Sequence, residues 1–120
     1  MNREESDLQI QVADLLRLYE KSRNFVFFAV SNEVMGAART GGGLARMKRF
    51  KRMGMLAGVS DLCITRLGKL YCLELKKPGG VMSKDQKEFR DNIIASGAEY
   101  ATSYTLDEAI DALKIWGIIP

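Results

Sequence analysis

At 120 residues and 13.4 kDa, with 47% hydrophobic and 28% charged residues, the chain has the composition of one folded domain, with little left for a long disordered arm. No apolar run approaches the roughly 18 to 20 residues that span a bilayer, and the start MNREESDLQ lacks the basic and apolar regions of a signal peptide. Two cysteines and no histidine argue against a disulfide framework or a zinc site, a cytosolic protein is expected, and the net charge of +3 decides little by itself.

Leu8, Val12, Leu15, Leu16 and Tyr19 recur at helical spacing, with Asn2 or Ser6 as candidate caps, which predicts an amphipathic helix over 4–21. NFVFFAVSN, residues 24–32, is rich in β-formers and short, which predicts a strand inside the sheet or at a mostly buried edge. A glycine cluster, Gly41 to Gly43, reads as a linker because it lacks phosphate-loop spacing.

The basic segment that follows is predicted helical from about Leu44 to Met53 and closed by Gly54. From Val34 to Ser60 there is no acidic residue, whereas Arg39, Arg46, Lys48, Arg49, Lys51 and Arg52 fall in that window. The rest of the chain is net acidic, so the positive field is local. It suits a polyanion such as nucleic acid, and a solvated basic helix face is the plainer reading.

Residues 60–66 and 69–76 read as a hairpin about Leu67 and Gly68, in which paired positions sum to 135. Strand alternation then puts Leu62, Ile64, Tyr71, Leu73 and Leu75 on one face. Asp61, Cys63, Thr65, Cys72, Glu74 and Lys76 share the other, with Asp61 opposite Glu74 and Cys63 opposite Cys72. Beyond the KKPGG break, Ser83 caps a predicted helix to about Ser96 that turns Phe89, Ile93 and Ile94 inward. AEYATSY is a short strand, and Thr105 introduces a last helix, Leu106 to Trp116, burying Ala109, Ile110 and Leu113. The predicted order is α, β, basic helix, β, β, α, β, α. Trp116 is assigned to the core or a dimer interface, and the two cysteines are expected to be reduced, half-buried thiols.

Two carboxylates on adjacent strands repel unless a proton or cation lies between them. A divalent cation with hard oxygen ligands, Mg²⁺ or Mn²⁺, resolves that conflict and can activate water beside a phosphate. Lys76, two residues from Glu74, projects from the same face and could orient or deprotonate that water or stabilise developing charge; the carbonyl of Leu75 between them is a further candidate ligand. On spacing alone, a surface ion pair among Asp61, Glu74 and Lys76 remains an equal alternative.

GVSDL, LELKKPGG and SKDQKEF, taken together and in order, resemble the VRR-NUC (virus-type replication-repair nuclease) family of the PD-(D/E)XK nuclease superfamily, over nearly the whole chain. Its early glutamate and glutamine match Glu5 and Gln9, its asparagine-glutamate pair matches Asn32 and Glu33, and its catalytic D and E-x-K match Asp61, Glu74 and Lys76. Its glycine pair and following serine and glutamine match Gly79, Gly80, Ser83 and Gln86; Ser60 stands where the motif usually has proline.

The resemblance implies a restriction-endonuclease-like α/β fold with a mixed central sheet flanked by helices. It further implies a Mg²⁺- or Mn²⁺-dependent endonuclease that cuts DNA, with Asp61, Glu74, the Leu75 carbonyl and Glu5 on the metal. Lys76 would be the catalytic lysine and Gln86 a supporting polar group. Whether Glu4 or Glu5 is the first-helix acid is left open by their adjacency. DNA contacts are expected from Arg39, Arg46, Lys48, Arg49, Lys51 and Arg52, with Lys77 and Ser83. Small stand-alone members resemble phage-encoded homodimers that cut branched DNA such as four-way junctions in the host cytoplasm; a helicase or other replication partner stays unspecified. A non-catalytic DNA-binding module of the same fold, or a nuclease for RNA, flap or linear DNA, is the competing reading.

Overall fold

The structure is a computed structural model that describes residues 2–31 and 43–120. Asn32, Glu33, Arg39, Gly41 and Gly42 therefore lie outside the described residues. The elements are α1 (Arg3–Tyr19), β1 (Phe25–Ala29), α2 (Gly43–Arg52), β2 (Leu62–Arg66), β3 (Lys69–Leu75), α3 (Lys84–Ala95), β4 (Glu99–Ser103) and α4 (Leu106–Ile115). Among the described residues no helix is long and apolar enough to cross a membrane.

The strands form one mixed sheet in the order β1-β2-β3-β4, antiparallel except for the parallel β3–β4 pair. The hairpin turn has positive φ at both Leu67 (52°) and Gly68 (76°), the geometry whose twist suits a two-residue connection. It sets the expected register: Leu62 faces Leu73, Cys63 faces Cys72 and Ile64 faces Tyr71.

Helices cover both faces of the sheet. On one, Leu62, Ile64, Leu73 and Leu75 meet Leu8, Val12 and Leu16 of α1 and Ala109 and Leu113 of α4, forming the main core. Trp116 packs on that core with its ring 5.3 Å from Tyr71, which favours the core reading of this residue. On the opposite face Phe89 of α3 closes over Cys63 and Cys72, with Ile93, Tyr100, Val30 and Val59 around them. The thiols are thus fully buried rather than half-buried.

Caps define the helix starts. Asn2 accepts from the Glu5 N–H at 2.9 Å, so Asn2 and not Ser6 begins α1, while Ser83 and Gln86 form a reciprocal capping box on α3. Two expectations about the core are corrected. β1 is the sheet edge and turns Val26 and Phe28 to solvent, because the helix packed on that side closes over Cys63, Cys72 and Tyr100 of β2, β3 and β4 and leaves those two uncovered. Ile94 is also exposed: α3 buries Phe89 and half-buries Ile93 at i, i+4, a stripe too narrow to include the next position.

Candidate functional site

The chemistry-bearing end of the hairpin follows from its turn. With a two-residue connection Arg66 and Lys69 form a hydrogen-bonded pair, so Cys63–Cys72 is a non-hydrogen-bonded pair where side chains approach most closely, and the same register continued just beyond β2 brings Asp61 beside Glu74. Asp61 directly precedes β2, and its carbonyl accepts from the Val30 N–H at 3.1 Å, tying it to the end of β1. Its Oδ2 accepts from the Leu75 N–H at 2.8 Å. That bond orients the Asp61 carboxyl toward β3.

Asp61 and Glu74 are both buried, Glu74 with 2% of its surface exposed. Burial, then the hydrogen bond with Asp61 and its negative charge, push the Glu74 carboxyl up to about 10, with Lys76 and the Leu75 backbone pulling in the opposite direction. A proton or a cation beside Glu74 is therefore favoured over a second full negative charge. Its Oε2 has no hydrogen-bond partner among the described residues, a costly arrangement for a buried oxygen.

A cavity of about 510 Å³ opens over this pair. The strands supply Asp61, Glu74, Leu75 and Lys76, and the helices supply Glu5, Gln9 and Gln86. Glu5 sits in the first turn of α1 and its Oε1 accepts from the Lys77 N–H at 3.3 Å; Glu4 is exposed and does not border the cavity. Helical periodicity does not separate the two, since Glu4 and Glu5 are four and three residues before Leu8; the cavity lining does.

Lys76 follows β3, with its N–H donating to the Ser103 carbonyl at 2.9 Å. A turn over Lys77, Pro78, Gly79 and Gly80 then reverses the chain, closed by the Gly80 N–H on the Lys77 carbonyl at 2.9 Å, with φ of 80° at Gly79. A side chain at Gly80 would crowd that carbonyl at 2.9 Å and the stem of Lys76 at 3.4 Å, so this glycine leaves room for the lysine. Gln86 borders the cavity while its Oε1 accepts from the Ser83 N–H at 2.8 Å, and Ser83 Oγ accepts from the Gln86 N–H at 3.2 Å. Both residues expected to serve substrate thus also build the start of α3.

Gly58 joins these parts. Its φ is 79° and a Cβ there would collide with the Asp85 carbonyl, so the loop before Asp61 is pressed against the first turn of α3. Ser60, where the motif usually has proline, is fully buried; its hydroxyl donates to the Leu62 carbonyl at 3.3 Å and lies 3.7 Å from Cys63 Sγ. The thiol pair splits: Cys63 is lowered to about 7, chiefly by its hydrogen bond with Cys72, while that same bond and burial push Cys72 up.

The basic residues stand apart. Arg46, Lys48, Arg49, Lys51 and Arg52 are all exposed on α2 and none borders the cavity; Lys77 and Ser83 are exposed near its rim elements. Sequence reasoning did not single out Tyr100 and Thr102, which β4 places on the Glu74 face. Cys72 pairs with Tyr100 and Glu74 with Thr102. Alternation along AEYATS gives their shared face, but only the pairing of β4 with β3 connects it to the carboxylates.

These donors fit a divalent cation. Two close, buried carboxylates with an orphaned oxygen supply hard ligands and a charge to be neutralised. Among the described residues no three acidic, cysteine or histidine side chains converge into a closed cage. A cation held here would keep positions for backbone, water or substrate oxygen, which is the habit of Mg²⁺.

No family model matches the sequence, and no curated protein matches it. Among solved structures, a VRR_NUC domain protein superposes with a TM-score of 0.65, covering 97% of this chain and 89% of its own, at 18% sequence identity. At that identity the likeness is one of architecture: this chain has the mixed α/β fold, a four-stranded mixed sheet flanked by helices, of a VRR_NUC domain protein.

Proposed function

We propose that this protein is a divalent-metal-dependent, structure-selective DNA endonuclease that hydrolyses phosphodiester bonds, with branched DNA such as four-way junctions as substrate. The observation that carries the reading is the buried Asp61–Glu74 pair, its orphaned Oε2 and Lys76 gathered on one cavity. The VRR_NUC fold likeness and the ordered motifs support it.

Asp61, Glu74 and the Leu75 carbonyl would hold Mg²⁺ or Mn²⁺, with Glu5 facing the same space. Bound there, the cation supplies Lewis-acid polarisation of the scissile phosphate and a more acidic water. Asp61 is held for this role by the Leu75 N–H. Lys76 orients the attacking water and opposes the negative charge that develops on the phosphate. Glu5 and Gln86 position the surrounding backbone, through the Lys77 N–H and the α3 cap respectively. Water gives up a proton as its oxygen bonds to phosphorus, the P–O bond to the leaving group breaks, and the leaving oxygen takes up a proton.

The exposed cations of α2, with Arg39, Lys77 and Ser83, track DNA phosphates, giving affinity and salt dependence without base sequence. Selectivity then lies in DNA shape, and a homodimer would present two related sites to two strands. Action in the cytoplasm of a phage host completes the proposal.

Purified protein should nick or resolve branched DNA only with Mg²⁺ or Mn²⁺, and Asp61→Ala, Glu74→Ala and Lys76→Ala should each abolish cutting while leaving binding. Cleavage surviving all three changes would overturn the assignment. DNA binding without cleavage of any duplex, flap or junction would instead identify a non-catalytic module, and cutting confined to RNA would transfer the chemistry to that substrate. Neutralising Arg46, Lys48 and Arg49 together should flatten the logarithmic salt dependence of binding by roughly 3, near 1 per lost phosphate contact. An unchanged slope would make α2 a solvated face.

A further inference from the structure

Two buried polar side-chain atoms lack a hydrogen-bond partner among the described residues, Glu74 Oε2 and Tyr100 Oη. They share a sheet face. Tyr100 pairs with Cys72 and Thr102 with Glu74, so Tyr100 starts two residues before the level of the carboxylate. Two residues of strand span about 6.6 Å, a distance a tyrosine side chain can cover.

Its hydroxyl in fact lies beside Thr102, close enough to Glu74 for that carboxylate's charge to act on it, with Arg90 and Asp61 also in reach. The ring is fixed against Phe89 at a centroid distance of 6.3 Å. Other neighbours of the hydroxyl are engaged: Thr102 Oγ1 donates to Met82 Sδ at 3.6 Å, and Arg90 donates to Asp91 at 2.9 Å and to Met82 Sδ at 3.9 Å. Burial and the nearby carboxylates keep the phenol protonated, so it is a donor. Thr102 Oγ1 can still accept while it donates to Met82, and Glu74 Oε2 is the buried acceptor on this face that has no partner of its own.

We propose that Tyr100 is a positioning residue for the cation site: when Glu74 ligates a divalent cation through one oxygen, the Tyr100 hydroxyl donates to Oε2 and holds the carboxylate in its ligand orientation. This rests on the cation site proposed above. A metal-bound carboxylate is ordinarily fixed by such an outer hydrogen bond, and its loss weakens metal binding about 10- to 100-fold. In the metal-free protein, by contrast, the hydroxyl only adjoins Thr102, without a well-formed hydrogen bond among the described residues. Its removal should leave stability unchanged or raise it.

Calorimetric titration with Mn²⁺ of wild type, Tyr100→Phe and Glu74→Gln, alongside melting of each metal-free protein, separates the possibilities. The expected result is Mn²⁺ affinity about tenfold weaker in Tyr100→Phe, with a metal-free melting temperature equal to or above wild type. Unchanged Mn²⁺ affinity while Glu74→Gln abolishes binding would overturn the role of Tyr100 and leave the cation site standing. A lowered metal-free melting temperature in Tyr100→Phe would also overturn it, by showing a structural bond. Wild type that binds no Mn²⁺ would remove the cation site itself, and this role with it.

Discussion

The two faces of the β2–β3 hairpin solve burial in opposite ways. On the face toward α1 and α4, Leu62, Ile64, Leu73 and Leu75 fill the core, and each gains by leaving water. On the face toward α3, the same alternation buries Cys63 and Cys72 and then, one step on, Asp61 and Glu74, the last with an oxygen left unpartnered. The first face stabilises the fold. The second holds groups whose burial opposes folding until a proton or cation neutralises them, which is the pattern expected where stability yields to function.

The comparison can be broken from either side. Lys76→Ala should reduce metal-dependent cleavage by about 10³-fold, in the range for losing a positioned charge or proton-transfer group, with little change in melting temperature. A comparable loss of stability in denaturant titration would instead make Lys76 a structural residue. Leu73→Ala on the other face should do the reverse, lowering stability by about 2 to 5 kcal/mol through an unfilled volume beneath α1 and α4. A cost under 1 kcal/mol would show that the core face is loosely packed.

A smaller effect sharpens the contrast. The folded-state pKa of Glu74 is raised from 4.5 to about 10, so its contribution to metal-free stability is fully present below pH 4.5 and is lost as pH rises toward 10. Glu74→Gln cannot lose a proton. The two proteins should therefore be similar near pH 4.5 and diverge above it, the variant becoming the more stable, with a difference growing by at most about 1.4 kcal/mol per pH unit. Parallel stability curves from pH 5 to 9 would contradict the raised pKa.

Much of this site was legible because strand alternation and a two-residue turn are local. Leu67 and Gly68 set the register that brings Asp61 to Glu74, and Ser83 with Gln86 announces its own cap. What was illegible depended on distant neighbours. NFVFFAVSN reads as an interior strand or a mostly buried edge, yet the β1 edge exposes Val26 and Phe28, and no local signal tells which side of the sheet a helix leaves open. The place of Tyr100 beside Glu74 required knowing that β4 returns parallel to β3 across α3, a crossover that residue patterns do not register. Gln86 shows the reverse difficulty: its motif position suggested the cavity, and only the structure adds that the same side chain caps a helix.

Crystals grown with Mn²⁺ and measured at the manganese absorption edge test the central claim most directly. The account predicts an anomalous peak between the Asp61 and Glu74 carboxylates, within coordination distance of both. Anomalous density only elsewhere on the molecule, or none at all at millimolar Mn²⁺, would contradict it.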